Sequence, residues 1–528
     1  MIVVLFSRPE FEYDVHSLVK AFYPKEEVEM YYTCPEAEVG EHNLACAHHE
    51  AGAQLEAILD DANRVLSVTY HGLTAKMDEV EGNAPAEGRI EISWQTKEPP
   101  AVNARQFAVD YSKRTQVKNL LKQNLYDMLT ECSGKKLPWG TLTGIRPTKI
   151  PMKLLEEGKS EEEIASYMKE TYLASDEKVK LSIDIAKRER KLLEKIDYEN
   201  GYSLYIGIPF CPSTCAYCSF TSYPLFTWRN RVDEYLDALE REIDYTARKF
   251  YHKKLNSIYI GGGTPTTLEP HQLDRLIRKI KCSFDLKDCV EFTVEAGRPD
   301  SITREKLEVL HKNGIDRISV NPQTMKQETL DIIGRHHTVE QTIASYKMAR
   351  EIGFDNINMD LIIGLPEENL EDVRHTMEII EELKPDNVTV HSLAVKRAAR
   401  MTIFKDRFQD MQMVNTQEHM DLCQEYCDKI GLQPYYLYRQ KGMAGNMENV
   451  GYAAEGKAGV YNILIMEEKQ TIVALGAGAT TKRVWTTPNP DGTHRIERCE
   501  NVKDVGLYIE KIDEMIERKR ILFLPTQD

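Results

Sequence analysis

The segment IPFCPSTCAYCSF (208–220) puts Cys211, Cys215 and Cys218 in a short loop directly after the apolar run YSLYIGI (202–208). That run, rich in β-branched and aromatic residues, reads as a strand. The cysteine spacing is C-x3-C-x2-C, with no fourth cysteine close by. A structural zinc site normally takes four ligands. Three thiolates in one compact loop suit a cubane iron–sulfur cluster that leaves one iron open to a substrate or a chelating cofactor. A zinc loop completed by a distant ligand and a chance cluster are the alternatives. Chance explains little, because the 528 residues hold only 11 cysteines.

Outward from this loop, apolar strands alternate with helical patterns over residues 201–435. Strands are predicted at 202–208, 257–261, 290–295, 315–320, 356–363 and 387–393. Helical spacing fills the gaps, at about 229–250, 270–281, 301–313, 338–352 and 368–383. Serial βα units imply parallel strands joined by right-handed crossovers. The fold predicted is α/β, with a partial (β/α)6 barrel as its core and a doubly wound sheet as the alternative. Either arrangement places chemistry at the C-terminal ends of the strands.

The flanks read differently. Residues 1–165 form an N-terminal α+β domain, with strands at MIVVLFS, 27–33, 64–70 and 89–94 and a helix carrying Val117, Leu121, Leu125 and Met128 on one face. A helical linker spans 166–200. Residues 436–528 read as a C-terminal α+β domain, with YNILIM (461–466) and TIVALGAGA (471–479) as strands and a last helix at 502–520.

Composition narrows the function. Charged residues make up 29% of the chain and the formal net charge is −16, which argues against general nucleic-acid binding but not against a local pocket for a small anion. No apolar run approaches the ~20 residues of a membrane span. MIVVLF lacks the basic start and small-residue cleavage site of a signal peptide. Reduced thiols in a cytoplasmic protein are the natural reading of the scattered cysteines.

Several positions sit where site residues belong. Gly261, Gly262, Gly263, Thr264 and Pro265 follow the second strand, where glycines let the backbone approach a ligand. Glu295 ends the third strand, Gln323 follows the fourth, and Arg335 lies beyond it. Asp360 falls inside the apolar fifth strand, where an unpaired charge is costly. Cys423 and Cys427, four apart, read as buried thiols on a helix face. His42, Cys46, His48 and His49 read as a solvated stretch.

The cysteine loop resembles that of the radical S-adenosylmethionine superfamily. SLYIGIPFC, GGGTPT, Glu295, the Gln323–Arg335 spacing, Asp360 with its GLP, and Ala394 resemble the oxygen-independent coproporphyrinogen III oxidase group over roughly 201–485. The resemblance implies a [4Fe-4S] cluster on Cys211, Cys215 and Cys218, and S-adenosylmethionine as cofactor. It implies cofactor contacts from Tyr205, Tyr217, Gly262, Gly263, Thr264, Glu295, Gln323, Arg335, Asp360 and Ala394. The activity implied is oxidative decarboxylation of two propionates of coproporphyrinogen III to vinyl groups, in haem biosynthesis. The partners implied are a tetrapyrrole substrate and an electron donor such as flavodoxin or ferredoxin. Arg397 and Arg400, just past the sixth strand, are candidates for the substrate carboxylates.

The chain departs from the best-known members of that group in two places. Phe220 stands where they carry a further cysteine, and Gly207 where they carry a histidine. The long N-terminal unit and TGIRPTKI (143–150) resemble the branch called coproporphyrinogen dehydrogenase. A haem-binding chaperone of the same superfamily is the competing reading. Its His-Asn-x-x-Tyr-Trp mark is replaced here by the run Gly445 to Val450. A radical enzyme acting on another substrate is the third.

Overall fold

The computed structural model describes residues 1–33, 58–73, 75–80, 86–396, 399–408, 410–440, 443, 445, 447–489 and 494–524. The His42–His49 stretch and Arg397 lie outside the described residues. The chain divides into two compact units, Met1–Gly144 with Gly158–Leu181, and Ile145–Glu157 with Ser182–Asp528.

The first unit is built on five strands, β1 (Ile2–Phe6), β2 (Val28–Tyr32), β3 (Arg64–His71), β4 (Glu87–Thr96) and β5 (Ala101–Asp110), in the order β2-β1-β3-β4-β5. β1 runs parallel to β2 and β3, and the β3–β4–β5 ribbon is antiparallel. Helices Glu12–Phe22 and Arg114–Ser133 belong to the same core. Phe22, Trp94, Leu121, Leu125 and Met128 are buried there, so the predicted apolar stripe is the packing face.

The second unit carries β6 (Gly201–Ile208), the two-residue pair β7 (Phe210–Cys211) and β8 (Tyr223–Pro224), β9 (Lys254–Gly262), β10 (Glu291–Gly297), β11 (Arg317–Val320), β12 (Ile357–Ile363) and β13 (Asn387–Ser392). It continues through β14 (Gln433–Tyr438), β15 (Asn449–Ala453), β16 (Thr471–Leu475), β17 (Thr480–Pro488) and β18 (His494–Glu500). The six βα strands lie side by side in chain order, β6-β9-β10-β11-β12-β13, and every neighbouring pair is parallel. A doubly wound sheet would reverse that order at a switch point. The strand succession is that of a β/α barrel, and the predicted strands match the observed ones.

The segment after residue 435 departs from the expectation of a separate domain. β15 and β14 extend the sheet antiparallel beyond β13, and β16 joins β6 in parallel, followed by the β17–β18 hairpin. An open six-strand run exposes two edges of unpaired backbone, and these strands cover both. The boundary expected at 435 therefore falls inside one sheet. YNILIM is also not a strand: Val460–Glu467 is a helix that buries Tyr461, Ile463 and Leu464. A short apolar run does not distinguish the two states by periodicity. Among the described residues no helix is long and apolar enough to cross a membrane.

A buried charge network ties the C-terminal helices to the strand tops. Glu242 and Lys519 are both fully buried and form an ion pair. Glu242 also accepts from Gly476 N at 2.8 Å, Tyr508 OH at 2.6 Å and Asn501 Nδ2 at 2.8 Å. Beside it, Tyr235 OH donates to the Gly207 carbonyl at 2.6 Å and accepts from Ala477 N at 3.1 Å. Lys519→Met should leave a buried carboxylate without its cation and destabilise the second unit by about 3–5 kcal/mol. Glu242→Gln/Lys519→Met should lose less than the sum of its single variants. Chemical denaturation of the three variants measures both.

Candidate functional site

The site begins where β6 and β9 run out side by side, in a register that pairs Gly207 with Gly261 and Ile208 with Gly262. Gly263 N donates to the Ile208 carbonyl at 2.8 Å, and Thr264 N to the Phe210 carbonyl at 2.7 Å. This close approach needs glycine. Gly262 has φ +109°, and a Cβ on Gly263 would sit 2.5 Å from the Phe210 oxygen. The glycine turn thus presses directly on the start of the cysteine loop, and Thr264 Oγ1 reaches Cys211 Sγ at 3.5 Å.

Arginines from later loops hold the rest of that loop. Arg298, just after β10, is buried and pairs with Asp300 at 2.6 Å. Its Nη1 donates to Ser213 O and Ser213 Oγ, each at 2.9 Å, and lies 3.6 Å from Cys215 Sγ. Arg335, also buried, donates to the Asn321 carbonyl at 2.6 Å and to Tyr217 OH at 3.2 Å. Ala216 N donates to Ile333 O at 2.8 Å, and Met401 N to Ala216 O at 2.9 Å. Arg400 donates to the Thr214 carbonyl at 3.3 Å.

The carboxylates approach from the strand ends. Tyr259 OH donates to Glu295 Oε1 at 2.5 Å. Burial pushes the Glu295 carboxyl up to about 7, the Tyr259 bond opposes the rise, and the nearby Asp360 adds to it. Asp360 accepts from Asn358 Nδ2 at 2.7 Å, and His391 Nε2 lies 3.8 Å away. Burial works against its ionisation too, but His391, Asn358 and Arg317 outweigh burial and hold it below the usual carboxylate range. Gln323 occupies the left-handed region, at φ +69°. Its N–H donates to the Asp360 carbonyl and its own carbonyl accepts from Ile362 N, each at 2.9 Å, which carries the ladder past the end of β11. Non-glycine residues in such conformations concentrate at functional sites.

One cavity of about 250 Å³ collects these groups. Cys211, Cys215, Cys218, Tyr217, Gly262, Gly263, Thr264, Glu295, Gln323, Arg335, Asp360 and Ala394 all line it. Tyr205 does not. Its ring stacks with Tyr259 and Tyr461, each with centroids 6.3 Å apart, so it stands behind Glu295. Arg400 does not line the cavity either, whereas Lys396 of the same basic run does. Arg298, His391, Tyr438 and Asn449 line it without having been singled out from the sequence.

The donor set fits an iron–sulfur cluster. Three thiols border an open cavity, and burial pushes the Cys211 thiol up to about 11 while Cys218 shifts the same way. Metal binding to thiols displaces their protons. Among the described residues no three Cys, His, Asp or Glu side chains converge on a point that could hold a single metal ion. Three thiolates bound to separate corners of a cubane do not need to converge in that way. Cys423 and Cys427 are fully buried away from the cavity, as the helix-face spacing suggested.

Comparison with known proteins agrees with this geometry. Residues 205–380 match the radical SAM superfamily model. The chain is 43% identical over 408 residues to the oxygen-independent coproporphyrinogen-III oxidase-like protein HemZ of Bacillus subtilis, covering 76% of this chain and 80% of that protein. It is 42% identical over 198 residues to the heme chaperone HemW of Bacillus subtilis, covering 37% of this chain and 51% of that protein. It is 33% identical over 229 residues to the oxygen-independent coproporphyrinogen III oxidase of Escherichia coli, covering 43% of this chain and 49% of that protein.

Replacing Cys211, Cys215 or Cys218 singly by alanine should abolish iron loading and the broad blue-region absorbance of anaerobically reconstituted protein. Cys423→Ala should retain both. Iron analysis and visible spectra of the four variants decide this.

Proposed function

Because the chain belongs to the oxygen-independent coproporphyrinogen-III oxidase-like proteins of the radical SAM superfamily, we propose that it is a radical oxidoreductase that converts propionate side chains of coproporphyrinogen III to vinyl groups. Members of the superfamily use a [4Fe-4S] cluster and S-adenosylmethionine. Bound together, these supply a 5′-deoxyadenosyl radical that removes a hydrogen atom from an unactivated carbon. Here that carbon is the propionate β-carbon. Loss of carbon dioxide and one further electron to an acceptor then completes each vinyl group.

The single observation behind this reading is the cavity, which unites the three cysteines with all but one of the positions that the resemblance assigns to cofactor contact. The protein's own residues bind and orient. Glu295 and Asp360 accept hydrogen bonds from the cofactor's amino and ribose groups, and Gly262, Gly263 and Thr264 offer backbone. Arg335 fixes Tyr217 against the cluster loop. In an acidic chain the substrate carboxylates need a local cation, and Lys396 on the cavity wall is better placed than Arg400. Phe220, exposed and also on the wall, offers an apolar face to a macrocycle. Flavodoxin or ferredoxin is the proposed class of electron donor.

The identity to a haem chaperone supports a second reading, in which the same site carries haem. Incubation with haem separates the two, since a stable Soret-absorbing complex favours the chaperone. Under anaerobic turnover with reductant, S-adenosylmethionine and β-deuterated coproporphyrinogen III, the 5′-deoxyadenosine should carry deuterium by mass spectrometry. Normal cofactor cleavage without deuterium transfer would falsify the decarboxylase reading.

The Glu295 carboxyl, raised to about 7, adds a pH dependence. The ionised form is the acceptor, so this contribution to cofactor affinity is weak at low pH, grows as pH rises through about 7, and levels off above it. Just below that point affinity should fall by at most about tenfold per pH unit, and it should level off once this one contribution is lost. Equilibrium binding across this range should show the trend in the wild type and lose it in Glu295→Gln.

A further inference from the structure

Every nitrogen of the Arg298 guanidinium is committed. Nε and Nη2 grip the two Asp300 oxygens at 3.0 and 2.6 Å. Nη1 takes Ser213 O and Ser213 Oγ at 2.9 Å and faces Cys215 Sγ at 3.6 Å. The Arg298 side chain is only 4% exposed, and that of Asp300 is 20% exposed. The group can therefore neither swing away from the sulfur nor be well screened by water. A fixed, poorly screened charge beside a cluster ligand acts on the cluster's charge state more strongly than one at the surface.

We propose that Arg298 sets the reduction potential of the cluster through Cys215, with Asp300 as its moderating counter-charge. The step concerned is a one-electron reduction: an external low-potential donor loses one electron, the oxidised cluster gains it, and no bond is made or broken. The gain makes the cluster one unit more negative, so a neighbouring cation stabilises the reduced form more than the oxidised form. An N–H bond to a ligand sulfur acts in the same direction. Arg298 Nη1 faces the sulfur, whereas Asp300 is held on Nε and Nη2, so the cation dominates the pair. Arg298 is thus a positioning residue that also tunes the cluster. The inference rests on the cluster, not on the substrate, and failure of coproporphyrinogen turnover would leave it standing.

The test is an EPR-monitored redox titration of the anaerobically reconstituted full chain, with iron content measured on each sample. Arg298→Met should move the midpoint to more negative potential, because it removes the cation and leaves Asp300 uncompensated. Asp300→Asn should move it the opposite way, because the guanidinium then acts unopposed. Arg298→Lys, which keeps the charge but loses the fork, should fall between the wild type and Arg298→Met. A residue that only staples the loop would change iron retention or stability without this opposed pair of shifts. Iron-loaded variants with wild-type midpoints, or with shifts of one sign, overturn the proposal. So does loss of iron from every variant, which would reduce Arg298 to a staple.

Discussion

Arginine side chains from three later loops hold the cysteine loop, two of them buried, and the rest of the site is arranged around them. A loop of three cysteines has little regular structure of its own, so its backbone polar groups must find partners elsewhere. Arg298 takes Ser213, Arg400 takes the Thr214 carbonyl, and Arg335 joins Tyr217 to the Asn321 carbonyl. Each arginine stands in the region following a different strand of the parallel series. The loop is therefore fixed only when β10, β11 and β13 are in register with β6. The same cations would offset the negative charge of a cluster held on the three thiolates. In a chain with net charge −16, arginines gathered here are the local reversal that such a cluster would need.

The sheet edges impose a second constraint. The six βα strands could not stand alone, because both flanks would present unpaired backbone to water. β14 and β15 cover one flank, and β16 to β18 cover the other. The Glu242–Lys519 network then fastens the last helix to Gly476, while Tyr235 fastens the Gly207 carbonyl. The final stretch of chain thus stiffens the end of β6, from which the cysteine loop departs. A Cβ on Gly207 itself would stand in ordinary van der Waals contact with the Leu475 oxygen, at 3.4 Å.

The central sheet was legible because each parallel strand is a short run rich in apolar and β-branched residues and the crossover helices between them have an apolar stripe, both purely local patterns. That the three cysteines border one cavity was legible because residues within one short loop need no long-range information. Of the C-terminal strands β16 was legible, as TIVALGAGA, but the others were not, since edge strands carry mixed polarity: β18 alternates charged and half-buried residues and looks like a loop. Arg298 was missed for another reason. Its partner Ser213 lies 85 residues earlier in the chain, and nothing in the local sequence GRPD distinguishes a buried guanidinium from a solvated one. Arg400 looked like a substrate ligand by its place after the sixth strand, yet its guanidinium reaches Thr214, 186 residues earlier.

Tyr205 shows how a residue can belong to a site without lining its cavity. It stacks on Tyr259, and Tyr259 in turn stacks on Tyr461 with ring centroids 4.6 Å apart. These rings fix the phenol that donates to Glu295. A carboxyl with a proton affinity near neutrality is sensitive to the loss of one hydrogen bond, because that bond opposes the rise that burial causes. Tyr461 comes from the segment that was expected to be a strand of a separate domain. As part of a helix packed against β9 and β14, it brings the C-terminal portion of the chain into the electrostatics of the site. The tuning of Glu295 therefore depends on residues far apart in the chain, Tyr259 and Tyr461, and a barrel cut off at residue 435 would keep the cysteines while losing part of the aromatic support of that carboxyl.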